Sequence, residues 1–316
     1  MYKKLLITGG AGFIGSHLVD MALDKGYEVL AVDAMLEGSN QNNINPNCEF
    51  VYKRVEDLVI AGFKEKPDAI INVAALSNVD TSITNPRAFE SNVSSASNMA
   101  WLATQMDIPL VHVSTDEEYG PYYASRDISG RRSCTKSVGY KEYQILNPTS
   151  AYAASKAAGT LMALSYFKTF GADIRVSRGA NTYGTRQQDK LIPTICRKVL
   201  SGEPVPIFKT PAKREWLHVL DHCSALLAIL ERGKAGEIYN VSSGEQRSPL
   251  EILKLLSPFA PYELVEDRKG YDLEYKIDSS KIRDTLGWKP QYKVDEHVPP
   301  LQDWYFKAFD SGYFSK

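Results

Sequence analysis

The sequence predicts an α/β protein built on one doubly wound parallel sheet, with a smaller, mixed C-terminal domain for substrate. Three observations predict it. Short apolar runs alternate with stretches of helical composition through the first half of the 316 residues, as in β-α-β units with parallel strands. The first run, Leu5-Leu6-Ile7, ends in a glycine-rich turn that opens a helix. The run Leu110 to Val113 ends in Ser114-Thr115-Asp116-Glu117-Glu118-Tyr119-Gly120. Hydroxyls and adjacent carboxyls therefore fall at the carboxyl end of a buried strand, where open α/β sheets bind their ligands.

The glycine turn is Thr8-Gly9-Gly10-Ala11-Gly12-Phe13-Ile14-Gly15, followed by helical composition from Ser16 to Asp24. Gly9 permits a tight turn, Gly12 lets the backbone approach a pyrophosphate, and Gly15 allows close packing of helix on strand. A second strand, Glu28 to Val32, ends in Asp33, placed to hydrogen-bond a ribose. An acid there repels a 2′-phosphate, so the reading favours NAD over NADP on a Rossmann-type sheet. Residues 37–47 read as a loop, and Phe50-Val51-Tyr52 as a third strand with Asp57 and Leu58 as neighbours of the adenine. A fourth strand, Ala69 to Ala75, ends in Ala74 and Ala75, small enough for a dinucleotide to lie close. Pro86, behind Asn85, opens a helix that runs to about Thr104.

Residues 120–150 carry no periodic run and read as a long excursion near the site. Asn147 to Ser150 then starts a helix holding Tyr152-Ala153-Ala154-Ser155-Lys156. Tyr152 and Lys156 lie one turn apart on one face. An ammonium beside a phenol favours phenolate, which makes Tyr152 a base for a hydroxyl and leaves Lys156 to hold the nicotinamide ribose. Further on, Trp216 to Val219, Cys223 to Leu230 and Ile238 to Val241 are expected to rejoin the cofactor domain. The NAD-binding domain is then residues 1–180 plus about 216–242, and residues 181–215 and 243–316 form the substrate domain.

Composition narrows the classes. The chain is 43% hydrophobic and 24% charged with net charge −1, which offers no basic field for nucleic acid and no membrane surface. Arg131-Arg132 and Lys136 read as a solvated cluster in a loop. Cys48, Cys134, Cys196 and Cys223 have no Cys-x-x-Cys spacing, so neither a disulfide framework nor a metal site is expected. With no signal-peptide pattern or apolar span, the expected location is the cytoplasm.

The glycine motif, the Tyr152/Lys156 pair and Arg178-Gly179-Ala180-Asn181-Thr182-Tyr183-Gly184 resemble the extended short-chain dehydrogenase/reductase superfamily. Within it, residues 114–120 are similar to the Ser-Thr-Asp-Glu-Val-Tyr-Gly motif of nucleotide-sugar 4,6-dehydratases, the dTDP-glucose 4,6-dehydratases above all. The likeness continues through residues 74–80, 189–193, 214–219, 267–272, 277–281 and 286–290. It implies an NAD enzyme that oxidises C4 of an NDP-hexose, eliminates water across C5 and C6, and reduces C6. In that scheme Thr115, Asp116, Glu117, Tyr152 and Lys156 are catalytic, with Glu117 the base at C5 and Asp116 the acid at the C6 hydroxyl. Asn92 and Ser114 join the cofactor contacts. Ser77, Thr115, Asn181, Lys190, Leu191, Arg214, Asn240, Arg268 and Tyr271 are the substrate contacts. The resemblance also implies a homodimer through residues 87–105 and 151–169. The chain departs from the pattern at Leu76, Asn78, Glu118, Thr182, Thr185, Leu220 and Tyr271, and Glu118 adds a third carboxylate to the site region. A 4-epimerase, another sugar-nucleotide enzyme of the superfamily and a non-catalytic NAD-binding or sugar-nucleotide-binding protein remain the alternatives.

Overall fold

The computed structural model describes residues 2–122, 139–269 and 271–315; Arg131, Arg132, Cys134 and Lys136 lie outside the described residues. The first part of the chain runs β1 (Lys4–Thr8), α1 (Phe13–Asp24), β2 (Glu28–Asp33), β3 (Glu49–Tyr52), β4 (Ala69–Asn72), α2 (Val79–Thr84), α3 (Glu90–Met106), β5 (Leu110–Thr115), α4 (Ala151–Phe170) and β6 (Ile174–Gly179). It continues as β7 (Asn181–Tyr183), α5 (Leu191–Ser201), β8 (Val205–Phe208), β9 (Arg214–His218), α6 (Val219–Arg232), β10 (Ile238–Val241) and β11 (Gln246–Arg247). The last elements are α7 (Pro249–Leu256), β12 (Tyr262–Val265), α8 (Ser280–Leu286), α9 (Val294–His297) and α10 (Leu301–Asp310).

Seven strands form one parallel sheet in the order β10-β6-β5-β4-β1-β2-β3. Helices cover both faces, which is why β1, β2 and β4 are nearly continuous apolar runs rather than alternating ones. Along β1, Leu5 and Ile7 join the layer under α1 and α6, while Leu6 joins the layer under α3 with Met99 and Leu102. The sequence runs outward from β1 in both directions, so the strand order switches between β1 and β4. That switch opens a crevice at the carboxyl ends of the strands. There the Thr8 hydroxyl donates to Asn72 Oδ1 (2.6 Å) and accepts from Ala74 N–H (3.1 Å), holding the two strand ends together.

The smaller part has a mixed sheet, β11-β9-β7, and a two-stranded parallel ribbon, β12-β8. Its core is separate and includes Tyr183, Ile192, Ile195, Trp216, Leu253 and Tyr305.

Several boundaries differ from the sequence reading. Helix α1 starts at Phe13 rather than Ser16, because Gly12 is its N-cap and the glycine motif itself forms the first turn. Strand β4 stops at Asn72, and Val73 to Ala75 leave the sheet to border the crevice. Pro86–Phe89 is a separate 3-10 turn ahead of α3. Strand β9 does not rejoin the large sheet, whereas α6 and β10 do. The edge beside β6 is taken by β10, in the register Ile238 to Val176, and Trp216 of β9 is buried in the second core.

Candidate active site

A cavity of about 360 Å³ opens at the carboxyl ends of the strands, at the switch point. Its cofactor side is built by the glycine turn. Gly9 N–H donates to Val32 O (2.8 Å) and Gly12 N–H to Gly9 O (3.0 Å), which folds the turn back toward β2. A Cβ on Gly15 would stand 2.0 Å from the Gly9 carbonyl oxygen, so only glycine lets α1 start this close. No side chain caps α1, which leaves its first N–H groups for an anion. At the end of β2, Asp33 accepts from Ala11 N–H (3.0 Å), Met35 N–H (2.8 Å) and the Ser39 hydroxyl (2.8 Å) and borders the cavity. An uncapped helix end followed by an oriented acid fits the pyrophosphate and ribose of a dinucleotide.

Phe13, Ile14, Ala74, Ala75 and Asn92 border the same space. Asn92 accepts from Leu76 N–H (2.8 Å) and donates to Leu76 O (3.0 Å) and the Ser155 hydroxyl (2.9 Å), which ties the end of β4 to α4. The structure does not bring Asp57 and Leu58 there. Leu58 is buried in the apolar layer with Met99 and Leu102, and Asp57 is exposed. Strand β3 ends at Tyr52, and the residues that reach the cavity wall are Arg54, Val55 and Glu56. Counting from the strand end, instead of looking for the next acid, would find them.

The reactive side is the end of β5. Ser114 and Thr115 still belong to the strand, and Asp116–Tyr119 then makes a 3-10 turn. Thr115 caps the turn, its hydroxyl accepting from Glu117 N–H (3.3 Å), and it also hydrogen-bonds Asp116 Oδ1 (3.3 Å) and Tyr152. Helix α4 starts where Ser150 Oγ accepts from Ala153 N–H (3.1 Å), which sets Tyr152 and Lys156 on the cavity wall. Lys156 Nζ donates to Val113 O (2.6 Å). Burial lowers the Lys156 pKa to about 8, with Glu118 opposing the fall. Burial raises the Tyr152 pKa, and the charge of Glu117 adds to the rise.

The two adjacent carboxyls are pushed apart. Asp116 is raised well above the carboxylate range by burial and then by Glu117. Its Oδ2 has no hydrogen-bond partner among the described residues. Glu117 is also raised by burial, but Lys190, Arg268 and Arg214 oppose that rise. The rise is the greater at Asp116, and cations oppose it at Glu117, so of the two Asp116 is the better held as acid and Glu117 as base. Glu118 is not a third site carboxylate. It is fully buried on the far side of the turn, where Arg178 Nε donates to it at 2.6 Å.

Opposite the reactive side, Ser77, Asn181, Lys190 and Leu191 border the cavity, and Lys190 Nζ donates to Ser77 O (2.8 Å). Arg268 pairs with Asp80 (2.8 Å). Arg214 lies over the ring of Tyr275 (4.6 Å) and beside Tyr271 (5.5 Å), and Tyr271 packs on Phe208 (4.6 Å). Arg214, Arg268 and Tyr271 do not line the cavity, but the charges of Arg214 and Arg268 act on Glu117. Asn240 is not brought to the cavity. It is fully buried on β10, accepts from Tyr119 Oη (2.8 Å), and donates to Tyr140 O (2.8 Å) and Asp278 O (3.1 Å). Gln187, Gln188 and His222 also border the cavity, and no sequence motif marks them; Trp216 borders it too, from within the matched stretch 214–219.

A phenol and an ammonium poised beside a dinucleotide cradle are equipped to strip a hydroxyl of its proton while the carbon is oxidised. That defines a dinucleotide-dependent enzyme of redox chemistry. The chain belongs to the NAD dependent epimerase/dehydratase family, whose pattern matches residues 5–242. It is 35% identical over 337 residues to the dTDP-glucose 4,6-dehydratase of Xanthomonas campestris pv. campestris, covering 95% of this chain and 92% of that one. It is also 35% identical over 329 residues to the dTDP-glucose 4,6-dehydratase of an Actinoplanes species, covering 96% and 97%. The crystal structure of DesIV, a dTDP-glucose 4,6-dehydratase from Streptomyces venezuelae with NAD bound, superposes with a TM-score of 0.89 at 34% identity over 98% of both chains. The cofactor of this chain is NAD.

Proposed function

We propose that this chain is a nucleotide-sugar 4,6-dehydratase, a carbon–oxygen lyase that converts dTDP-glucose or a related NDP-hexose to the 4-keto-6-deoxy sugar. One observation carries the reading: the Asp116 and Glu117 carboxyls stand side by side at the strand end that also meets Tyr152, with burial favouring the acid form most at Asp116 and the charges of Lys190, Arg268 and Arg214 favouring the carboxylate at Glu117. Epimerisation at C4 requires hydride exchange and one acid–base group at the C4 hydroxyl, with no need of a carboxyl pair. Elimination across C5 and C6 requires an acid and a base on neighbouring carbons, which this pair supplies.

Tyr152 takes the C4 hydroxyl proton as phenolate, a form that Thr115 favours against burial and the charge of Glu117, with the Lys156 ammonium on the same wall of the cavity. The resulting ketone acidifies C5–H, and Glu117 removes that proton. Asp116 gives its proton to the C6 hydroxyl, which leaves as water. Bound NAD would supply the hydride acceptor for C4 and the hydride donor for C6; Glu117 gives its proton back to C5, and the proton taken by Tyr152 makes good the one Asp116 gave up, so the net change is loss of water. Lys190, with Arg214 and Arg268 behind it, supplies the positive side of the cavity toward a diphosphate. Helix α6 and strand β10 complete the NAD half, and residues 181–215 and 243–316 carry the substrate half. The exposed apolar side chains Trp101 on α3 and Leu161, Met162 and Phe170 on α4 support a homodimer through these helices. The enzyme works in the cytoplasm; among the described residues no helix is long and apolar enough to cross a membrane.

The direct test is to incubate the NAD-loaded protein with dTDP- and UDP-hexoses and follow the enone absorbance of alkali-treated product together with its mass. A 4-keto-6-deoxy sugar is expected; a C4 epimer, or no turnover of any hexose, overturns the reading. Lys156 adds a pH prediction. Its folded pKa of about 8 means the ammonium is intact below that pH and lost above it. The quenched-flow rate of C4 oxidation is expected to fall as pH rises past about 8, and Lys156→Ala should abolish that limb.

A further inference from the structure

We propose that Glu118 is a positioning residue, whose buried carboxylate locks the Asp116/Glu117 turn to α4 and so fixes Tyr152 and Lys156 against the two reacting carboxyls. The proposal rests on the dehydratase reading and deepens it.

Glu118 joins four elements. One carboxylate oxygen accepts from the Thr160 hydroxyl (2.6 Å) on α4 and from the Ser114 hydroxyl on β5. The other accepts from Arg178 Nε (2.6 Å) on β6. Arg178 is itself held, donating to Tyr119 Oη (2.8 Å) and Glu142 O (3.2 Å) with its guanidinium over the Tyr119 ring (4.6 Å). The backbone carbonyl of Glu118 accepts from Asn147 N–H (3.1 Å), just before the Ser150 cap of α4. Glu118 thus grips the catalytic stretch from both sides. Asn147 precedes Tyr152, and Thr160 lies one turn beyond Lys156 on the same face.

Such a pair is a poor device for stability alone, because a buried ion pair is commonly matched or bettered by apolar side chains of the same volume. Its hydrogen bonds do confer direction. The turn carrying Asp116 and Glu117 is short, and its position relative to α4 decides whether acid, base and phenol meet one sugar. The carboxylate also faces Lys156. Lys156 shares the cavity wall with Asp116, Glu117 and Tyr152, His112 on β5 feels its charge, and α3 presents neutral Asn92 and Ala96 to the same helix. His112 is held neutral by burial, and Arg178 is occupied by Glu118. Glu118 is the group that sustains the Lys156 charge.

The test compares NAD-loaded wild type, Glu118→Gln and Thr160→Val by rapid quench and mass spectrometry, which separates C4-oxidised sugar from dehydrated product. Glu118→Gln is expected to slow C4 oxidation and elimination by roughly 10- to 100-fold with KM nearly unchanged, the cost of misplaced groups. Its alkaline limb should also move to lower pH. Thr160→Val removes only the tie to α4, so it should slow both steps by a smaller factor and leave the limb in place. Thermal unfolding and NAD titration report whether each variant is folded; if Glu118→Gln is not, the near-isosteric Thr160→Val carries the comparison. Wild-type rates in the folded variants, or a change confined to KM, would overturn the positioning role. No dehydrated product from wild type would instead overturn the dehydratase reading beneath it.

Discussion

Glu117→Gln is expected to stop the reaction after its first stage, yielding sugar oxidised at C4 that still carries its C6 hydroxyl. The amide has the shape of the acid but cannot take the C5 proton, so elimination should fall by about 10²- to 10⁴-fold. The turn should survive, because Thr115 holds the backbone N–H of Glu117 and not its side chain. Removing the charge also acts on its neighbours. Glu117 helps to raise the Tyr152 pKa, so its loss brings the phenol down and C4 oxidation should reach full rate at lower pH than in wild type. Asp116 loses part of the push that keeps it protonated, but burial, the larger cause, remains. Rapid-quench mass spectrometry distinguishes the two sugars. If C4 oxidation is lost together with elimination, Glu117 is not the C5 base.

The large sheet is legible in the sequence because burial on both faces favours apolar runs with few polar interruptions, His112 being one. Leu5 to Ile7, Ala69 to Ile71 and Leu110 to Val113 read as strands for that reason. The reacting groups are legible because they sit at strand ends and on one helix face, at fixed spacing. What was not legible depends on contacts between distant segments. Arg54 to Glu56 reach the cavity because β3 ends at Tyr52, a boundary that a short half-buried strand marks weakly. Asn240 carries a polar side chain that is used entirely on Tyr119, Tyr140 and Asp278, and Asn240 alone does not reveal whether it faces ligand or protein. Glu118 is the clearest case. Beside Asp116 and Glu117 it reads as one more site acid, and only the arrival of Arg178 from another strand and Thr160 from α4 shows it facing away from the cavity.

Gly15→Ala is expected to abolish NAD binding and to destabilise the fold as well. The added Cβ would lie 2.0 Å from the Gly9 carbonyl oxygen and 2.7 Å from its carbon. Both are backbone atoms of a turn pinned to Val32, so no flexible side chain can move aside. Either α1 shifts away from the turn or the turn opens, and both displace the N–H groups meant for the pyrophosphate. Overpacking of this kind costs about 1–3 kcal/mol or more in stability. Gly12→Ala separates affinity from folding. Its Cβ meets only the Gly9 oxygen at 3.2 Å, and its φ of −79° suits any residue. The methyl instead crowds the place where the dinucleotide backbone must come close. Thermal unfolding of the NAD-free protein should therefore show a clear loss for Gly15→Ala and little for Gly12→Ala, while NAD titration shows weakened binding in both. Equal stability of Gly15→Ala and wild type would mean that the turn yields without cost, and the third glycine would then owe its place to the ligand alone.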